Sequence, residues 1–140
     1  MATLVLSKPL TVPPERAAVE VQAGEPRGGR IDPYRPYCRF EQARLADGTR
    51  QIAPGRYPIL RQYESVPAAA APSGLRHANF TAAAGDPSYY VFATVFELAS
   101  NNAGLSRLTC QHWELPAPNP PRHLTADEIS RALGAIARLE

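Results

Sequence analysis

The side chains of this 140-residue chain best suited to chemistry are few: Cys38 and Cys110, the histidines His77, His112 and His123, and thirteen scattered carboxylates. Cys110 and His112 stand two apart, a spacing at which residues of a strand share one face and can offer two donors to a metal. A structural zinc site closes with four ligands, and no neighbouring residues supply the other two. An oxidised cysteine would not ligate at all, so neither a metal nor any other cofactor is expected. The sequence has no Gly-x-Ser-x-Gly elbow, no phosphate-binding glycine loop and no dinucleotide fingerprint. Arg27-Gly28-Gly29-Arg30 lacks the strand-to-helix setting that turns glycines into a phosphate cradle. Asp127 and Glu128 are adjacent but read as helix-capping residues, and Glu97 and Glu114 belong to separate strands with no basis for a carboxylate dyad. Catalytic groups from distant segments meet only in a fold, so a small hydrolase-like enzyme stands as the alternative to a non-catalytic protein.

The cysteines are more informative as a pair. Cys38 lies in Tyr37-Cys38-Arg39-Phe40-Glu41 and Cys110 in Leu108-Thr109-Cys110-Gln111-His112-Trp113, both strand-like runs. Cys38 shares a face with Phe40, and Cys110 with Leu108 and His112, so both sulfurs can point into one core. One long-range disulfide is the preferred reading, and it places the protein in an oxidising compartment. Closing a loop of that length is worth roughly 4 to 5 kcal/mol in the chain-entropy picture, comparable with the net stability of a small domain. Two buried free thiols, packing as small hydrophobes, are the other reading.

For recognition, the densest cluster is Arg30, Tyr34, Arg35, Tyr37 and Arg39. Tyr and Arg dominate binding hot spots because each joins a large, stiff contact area to a polar tip, and Arg can grip a carboxylate or phosphate with two bonds. The competing reading has Tyr34 and Tyr37 covering the core beside Cys38 while the arginines are solvated. A formal net charge of +2 is too small to announce a nucleic-acid or membrane partner. Only Lys8 among the fifteen basic residues is lysine, and with abundant Ala, Arg, Pro and Gly this is the composition of a GC-rich bacterial genome. The arginine content therefore carries no function by itself.

The elements that must position these groups are mostly strands. Fifteen prolines exclude a mostly helical fold, because Pro is barred from helix interiors and central strands. Ala2 to Leu6 reads as a first strand. Arg16 to Gln22 alternates, with Ala17, Val19 and Val21 on one face, and reads as a half-buried second strand. Gly24 to Arg30 has the composition of a flexible loop. Asp47-Gly48 favours a tight hairpin turn, which pairs the Cys38 strand with Arg50-Gln51-Ile52. Arg56 to Tyr63 forms another strand, with Pro58 confining its start to an edge or bulge. Ser65 to Gly74, rich in Ala and Pro, is expected to be a mobile surface loop. Ser88 to Leu98, apolar on both faces, fits a central strand, and Leu105 to Trp113 returns antiparallel to it. Pro116 to Pro121 is an extended connector. Thr125-Ala126-Asp127-Glu128 fits a capping box opening a helix over about 125–138, with Ile129, Ala132, Leu133 and Ile136 on its buried face and Gly134 weakening it by about 1 kcal/mol. One echo stands out: Val12, Pro14, Arg16, Val19 and Gln22 recur forty residues later as Ile52, Pro54, Arg56, Ile59 and Gln62. Duplication of a half-sandwich and shared strand-entry chemistry both produce such a pattern.

No run of apolar residues approaches the roughly 20 needed to cross a bilayer as a helix, and Leu4-Val5-Leu6 is too short for the core of a signal peptide, so export implies a leader outside this sequence. Tyr37-Cys38-Arg39-Phe40-Glu41, Leu108-Thr109-Cys110 and Leu124 to Gly134 together resemble small uncharacterised proteobacterial envelope proteins, some of them lipoprotein-like. The resemblance covers well under half of the chain; it implies export and no assigned activity. The expectation is a single domain over 1–140, mainly β, an antiparallel β-sandwich or partly closed barrel of about seven strands with one C-terminal α-helix. Its expected role is that of a non-catalytic periplasmic or envelope-associated module that binds another envelope protein or complex by protein–protein contacts. A small hydrolase-like enzyme and an arginine-mediated binder of anionic polymer are the alternatives.

Overall fold

Apolar residues two apart, such as Leu4 and Leu6, Cys38 and Phe40, or Leu108 and Cys110, line up on single strand faces, and the chain buries them by pairing those strands into one curled sheet. The computed structural model describes residues 2–28, 30–44, 47–66, 90–99, 104–114 and 122–140. In chain order the strands are β1 (Thr3–Leu6), β2 (Leu10–Val12), β3 (Ala18–Gln22), β4 (Glu25–Pro26), β5 (Tyr37–Gln42), β6 (Arg50–Ile52), β7 (Gly55–Ser65), β8 (Tyr90–Leu98), β9 (Leu105–Glu114) and, after helix α1 (Ala126–Leu133), β10 (Ala137–Leu139). Eight of them form an antiparallel sheet in the order β10-β1-β7-β8-β9-β5-β3-β4, while β2 and β6 pair separately. Among the described residues the architecture is mainly β with one C-terminal helix, a half-barrel.

Tertiary organisation follows one rule. Val21 pairs with Cys38, Val12 with Arg50, and Leu4 with Tyr57, so the strand sequence β1-β2-β3 runs antiparallel to β5-β6-β7 along its whole length. The two form a single long ribbon, bent twice, whose middle section β2–β6 leaves the main sheet. Leu10, Val12 and Ile52 from that section are fully buried with Leu4, Val21, Phe40, Leu108 and Leu133 in one core cluster. The β8–β9 hairpin is inserted between the two ends of the ribbon, with β8 against β7 and β9 against β5.

This arrangement revises several sequence expectations. Asp47-Gly48 does not join β5 to β6 as a hairpin: β5 already has β3 and β9 on its two edges, and β6 pairs with β2 because that places Ile52 over the core. Arg50 fixes the excursion, its Nε donating to Gln42 Oε1 at 2.9 Å and its Nη2 to the carbonyl of Arg16. β3 is buried on both faces, because Glu20 is held by Arg16 at 2.9 Å and by Arg39 at 3.4 Å, and Gln22 by backbone partners. Gly24 to Arg27 forms a hairpin, not an open loop, with Arg27 N–H donating to Glu20 O at 2.8 Å. The helix is shorter than 125–138: Gly134 is its C-cap at φ 59°, and 137–139 form a strand on β1. A positive φ ends a helix where glycine tolerates it. Most of the Ser65 to Gly74 loop, the whole Pro116 to Pro121 connector and His77 lie outside the described residues.

Pro58 occupies the stretch of β7 opposite Thr3, one residue before a register shift between Ile59 and Arg61. The bulge lets a proline be accommodated in a strand that has neighbours on both sides. β8 is buried on both faces from Val91 to Phe96, as its apolar run requires.

Candidate functional site: an arginine-lined cleft

Gln22 organises the site. Its side chain, 8 % exposed, donates from Nε2 to the carbonyl of Asp32 at 2.8 Å, with Arg35 O at 3.3 Å and Pro36 O at 3.4 Å, while its Oε1 accepts from Asp32 N–H at 2.9 Å. These bonds tie the loop before β5 to the end of β3. Asp32 then shapes the loop from within: its carboxylate accepts from Tyr34 N–H at 3.1 Å and its carbonyl from Arg35 N–H at 3.0 Å, the local bonding that makes Asp a turn residue. Trp113 N–H donates to Pro33 O at 2.8 Å, and the Trp113 ring meets Tyr34 edge-on at 5.8 Å.

On the other side stands α1. Thr125 Oγ1 accepts from Glu128 N–H at 3.1 Å and Glu128 Oε1 accepts from Thr125 N–H at 2.9 Å, the reciprocal capping box expected from the sequence. Arg122 closes on the same carboxylate with two bonds of 2.7 and 2.8 Å. Those Arg122 bonds, with the Thr125 amide, hold the Glu128 carboxyl down at about 2. At its far end the helix docks on the β3–β4 turn, where Gly24 N–H donates to Ala132 O at 2.9 Å.

Between the loop, the turn and the helix lies an open cleft of about 710 Å³ lined by Gln22, Arg27, Arg30, Asp32, Arg35, Glu128 and Arg131, with Ala23, Ile31, Pro36 and Ala132 completing its walls. Four guanidinium groups face two carboxylates. Arg35 lies 3.7 Å from Asp32, Arg27 3.5 Å from Glu25, and Arg131 2.9 Å from Asp127 across solvent-exposed surface.

The five residues of the sequence cluster are thus divided. Arg30 and Arg35 line the cleft, and Tyr34 sits on the same loop with 48 % of its surface exposed. Tyr37 is buried; its hydroxyl accepts from Gln111 Nε2 at 2.6 Å, and burial pushes its phenol above the ordinary value against the opposing effect of that bond. Arg39 lies beside Tyr37's neighbours in the ion pair with Glu20. Sequence reasoning missed Arg27, Arg131 and Gln22 as site residues. The helical spacing already put Arg131 off the apolar face of α1, but only the docking of the helix brings it to the loop.

Cys38 and Cys110 are directly opposed in the β5–β9 register and are joined by a disulfide. The two described histidines, His112 and His123, form a separate group around Phe92. His112 stacks on that ring at 5.9 Å with its Nε2 2.6 Å from Glu114 Oε2, and His123 meets the ring edge-on at 5.3 Å with its Nε2 3.9 Å from Glu64. The Nδ1 atoms of both rings are buried without a hydrogen-bond partner, and among the described residues neither ring bonds to a hydroxyl or thiol. Among the described residues no three His, Cys, Asp or Glu side chains are grouped to hold a metal ion. Comparison with protein-family models, curated proteins and solved structures finds no match.

Proposed function

We propose that this protein is a non-catalytic binding and accessory module of the bacterial periplasm or cell envelope, acting through protein–protein contacts made by the loop that carries Arg30, Tyr34 and Arg35. The observation that carries this reading is the state of Tyr34: it is half exposed, braced edge-on by Trp113, and flanked by arginines on a loop that Gln22 holds in place. A stiff aromatic beside guanidinium groups on a pre-ordered loop is the composition of an interface hot spot, since little entropy is lost when it engages. The Cys38–Cys110 disulfide supports an oxidising compartment. The sheet edges support strand addition less well, because β4 has two residues including Pro26 and β10 has three.

The test is recovery of a partner from envelope extract on immobilised protein, followed by reconstitution with the purified partner and a thermal melt of each variant. Tyr34→Ala and Arg35→Ala are expected to weaken association at least tenfold with an unchanged melting temperature. Tyr37→Ala is expected to lower the melting temperature, because a buried aromatic is worth about 3 to 5 kcal/mol to the fold. Unaltered association with normal melting for Tyr34→Ala and Arg35→Ala removes the loop as the contact.

A further inference from the structure

We infer that the arginine-lined cleft receives the carboxylate side chains of an acidic segment of the partner protein, an inference that rests on the partner-binding reading of the adjoining loop. Arg30 has no side-chain partner among the described residues, and the Arg27 Nε is buried without a hydrogen bond. Arg27 and Arg35 hold their resident carboxylates only at 3.5 and 3.7 Å, beyond the 2.7 to 2.9 Å of a charge-assisted bond, so both can turn to an incoming acid. Glu128 does not neutralise the cleft, because Arg122 and the Thr125 amide already occupy its oxygens. Arg131 is paired with Asp127 at 2.9 Å on exposed surface, where an incoming acid can share it, so the unpaired charge of the lining is that of Arg30, in a concavity of about 710 Å³ within the range of ligand-binding clefts.

The same geometry chooses carboxylate over phosphate. Phosphate sites draw on free backbone N–H groups and positive potential at a helix start, and here the capping box takes the Thr125 and Glu128 N–H groups while Asp127 and Glu128 make that turn acidic. What remains is a set of planar guanidinium forks from three elements, a shape that grips a carboxylate, as it does a phosphate, with two bonds. An extended acidic segment can place successive carboxylates against Arg30 and Arg35 on the loop and Arg131 on the helix.

Fluorescence anisotropy of a labelled hexaglutamate peptide on the intact disulfide-bonded protein tests this, with hexaglutamine as control and with inorganic phosphate and phosphatidylglycerol vesicles as competitors. Hexaglutamate is expected to bind and hexaglutamine not, affinity is expected to fall with salt, and Arg30→Gln and Arg131→Gln are each expected to weaken binding about tenfold with unchanged melting. Equal binding of the two peptides overturns the inference, as does indifference to both arginine variants. Complete displacement by millimolar phosphate or by vesicles overturns it in favour of a phosphate or membrane ligand. If the peptide fails while Tyr34→Ala still abolishes partner recovery, the acidic-segment inference falls and the partner-binding loop stands. Hexaglutamate bound through the arginines, with partner recovery insensitive to Tyr34→Ala, keeps the cleft and removes the loop.

Discussion

Cys38 and Cys110 are separated by 72 residues, yet they meet as direct cross-strand partners at the centre of the core. Reduction is therefore expected to lower unfolding free energy by about 4 kcal/mol, the loop-closure entropy returned to the unfolded chain. Thiol titration under denaturing, non-reducing conditions checks the bond itself; two free thiols per chain would contradict it. Glu128 makes a second residue-scale prediction. Its carboxyl is held at about 2 by the Arg122 bonds and the Thr125 amide, below its ordinary 4.5, so its contribution to stability is complete above the ordinary value and disappears as pH falls towards 2. The melting-temperature gap between the native protein and Glu128→Gln should be widest near neutral pH and close between pH 4.5 and 2. A gap that persists at pH 2 would assign the stabilisation to packing and not to charge. Both features were visible in the sequence, the disulfide from two faces that agree and the capping box from its spacing. Tyr37 reads equally as hot spot or core, because period-2 alternation cannot say how far along a strand face burial extends, and here Tyr37 is covered while Arg39 and Glu41 on its face are half-buried.

Among the elements, α1 depends on a contact between two backbones. Gly134 lies at φ 59°, and a Cβ built on it would stand 2.5 Å from Gly24 Cα. Gly134→Ala is thus expected to cost more than about 2 kcal/mol, combining a disfavoured dihedral with a clash that has no flexible side chain to absorb it. The opposite expectation follows from treating Gly134 as a helix-interior glycine, where alanine would stabilise by about 1 kcal/mol, so the sign of the change in a chemical melt decides. Because this contact seats the helix beside the β3–β4 turn, the variant should also loosen hexaglutamate binding through Arg131, although Gly134 does not line the cleft. The sequence showed where the helix begins but not where it ends. A start signal is local, being made by Thr125 and Glu128 alone, whereas the end is imposed by Gly24, more than a hundred residues away, and by β1, which recruits 137–139 as a strand.

Across the whole molecule, the echo of Val12 to Gln22 in Ile52 to Gln62 acquires a geometric account. Thr11 pairs with Gln51 at the centre of β2–β6, and the flanking pairs Leu10 with Ile52 and Val12 with Arg50 exchange under a shift of forty residues. The same shift carries β3 onto β7, and each pairs antiparallel with a strand from the other arm of the ribbon, β3 with β5 and β7 with β1. Two strands of one ribbon meet equivalent bends on either side of that centre, so each leaves its bend with a proline, an arginine and a core β-branched residue in step. The individual strands were readable from alternation and the central β8–β9 hairpin from its apolar run. The ribbon was not, since pairing β6 with β2 instead of β5 is decided by which surface Ile52 can cover. For the same reason the cleft could not be read from the sequence: its lining comes from a turn, a loop and a helix that only the closed ribbon brings together. The ribbon also divides the molecule unusually. Everything before Arg27 supplies one strand of each ribbon pairing and everything after it supplies the other, so a short N-terminal piece and the rest of the chain are complementary parts joined by a tether. Segments 1–28 and 30–140, produced separately, are expected to be unfolded alone and to assemble on mixing into a heterodimer with the native far-ultraviolet dichroism, its disulfide lying wholly within the larger piece. Failure to assemble would mean that the tether is needed for folding; success would make this chain a split reporter whose junction adjoins the arginine-lined cleft.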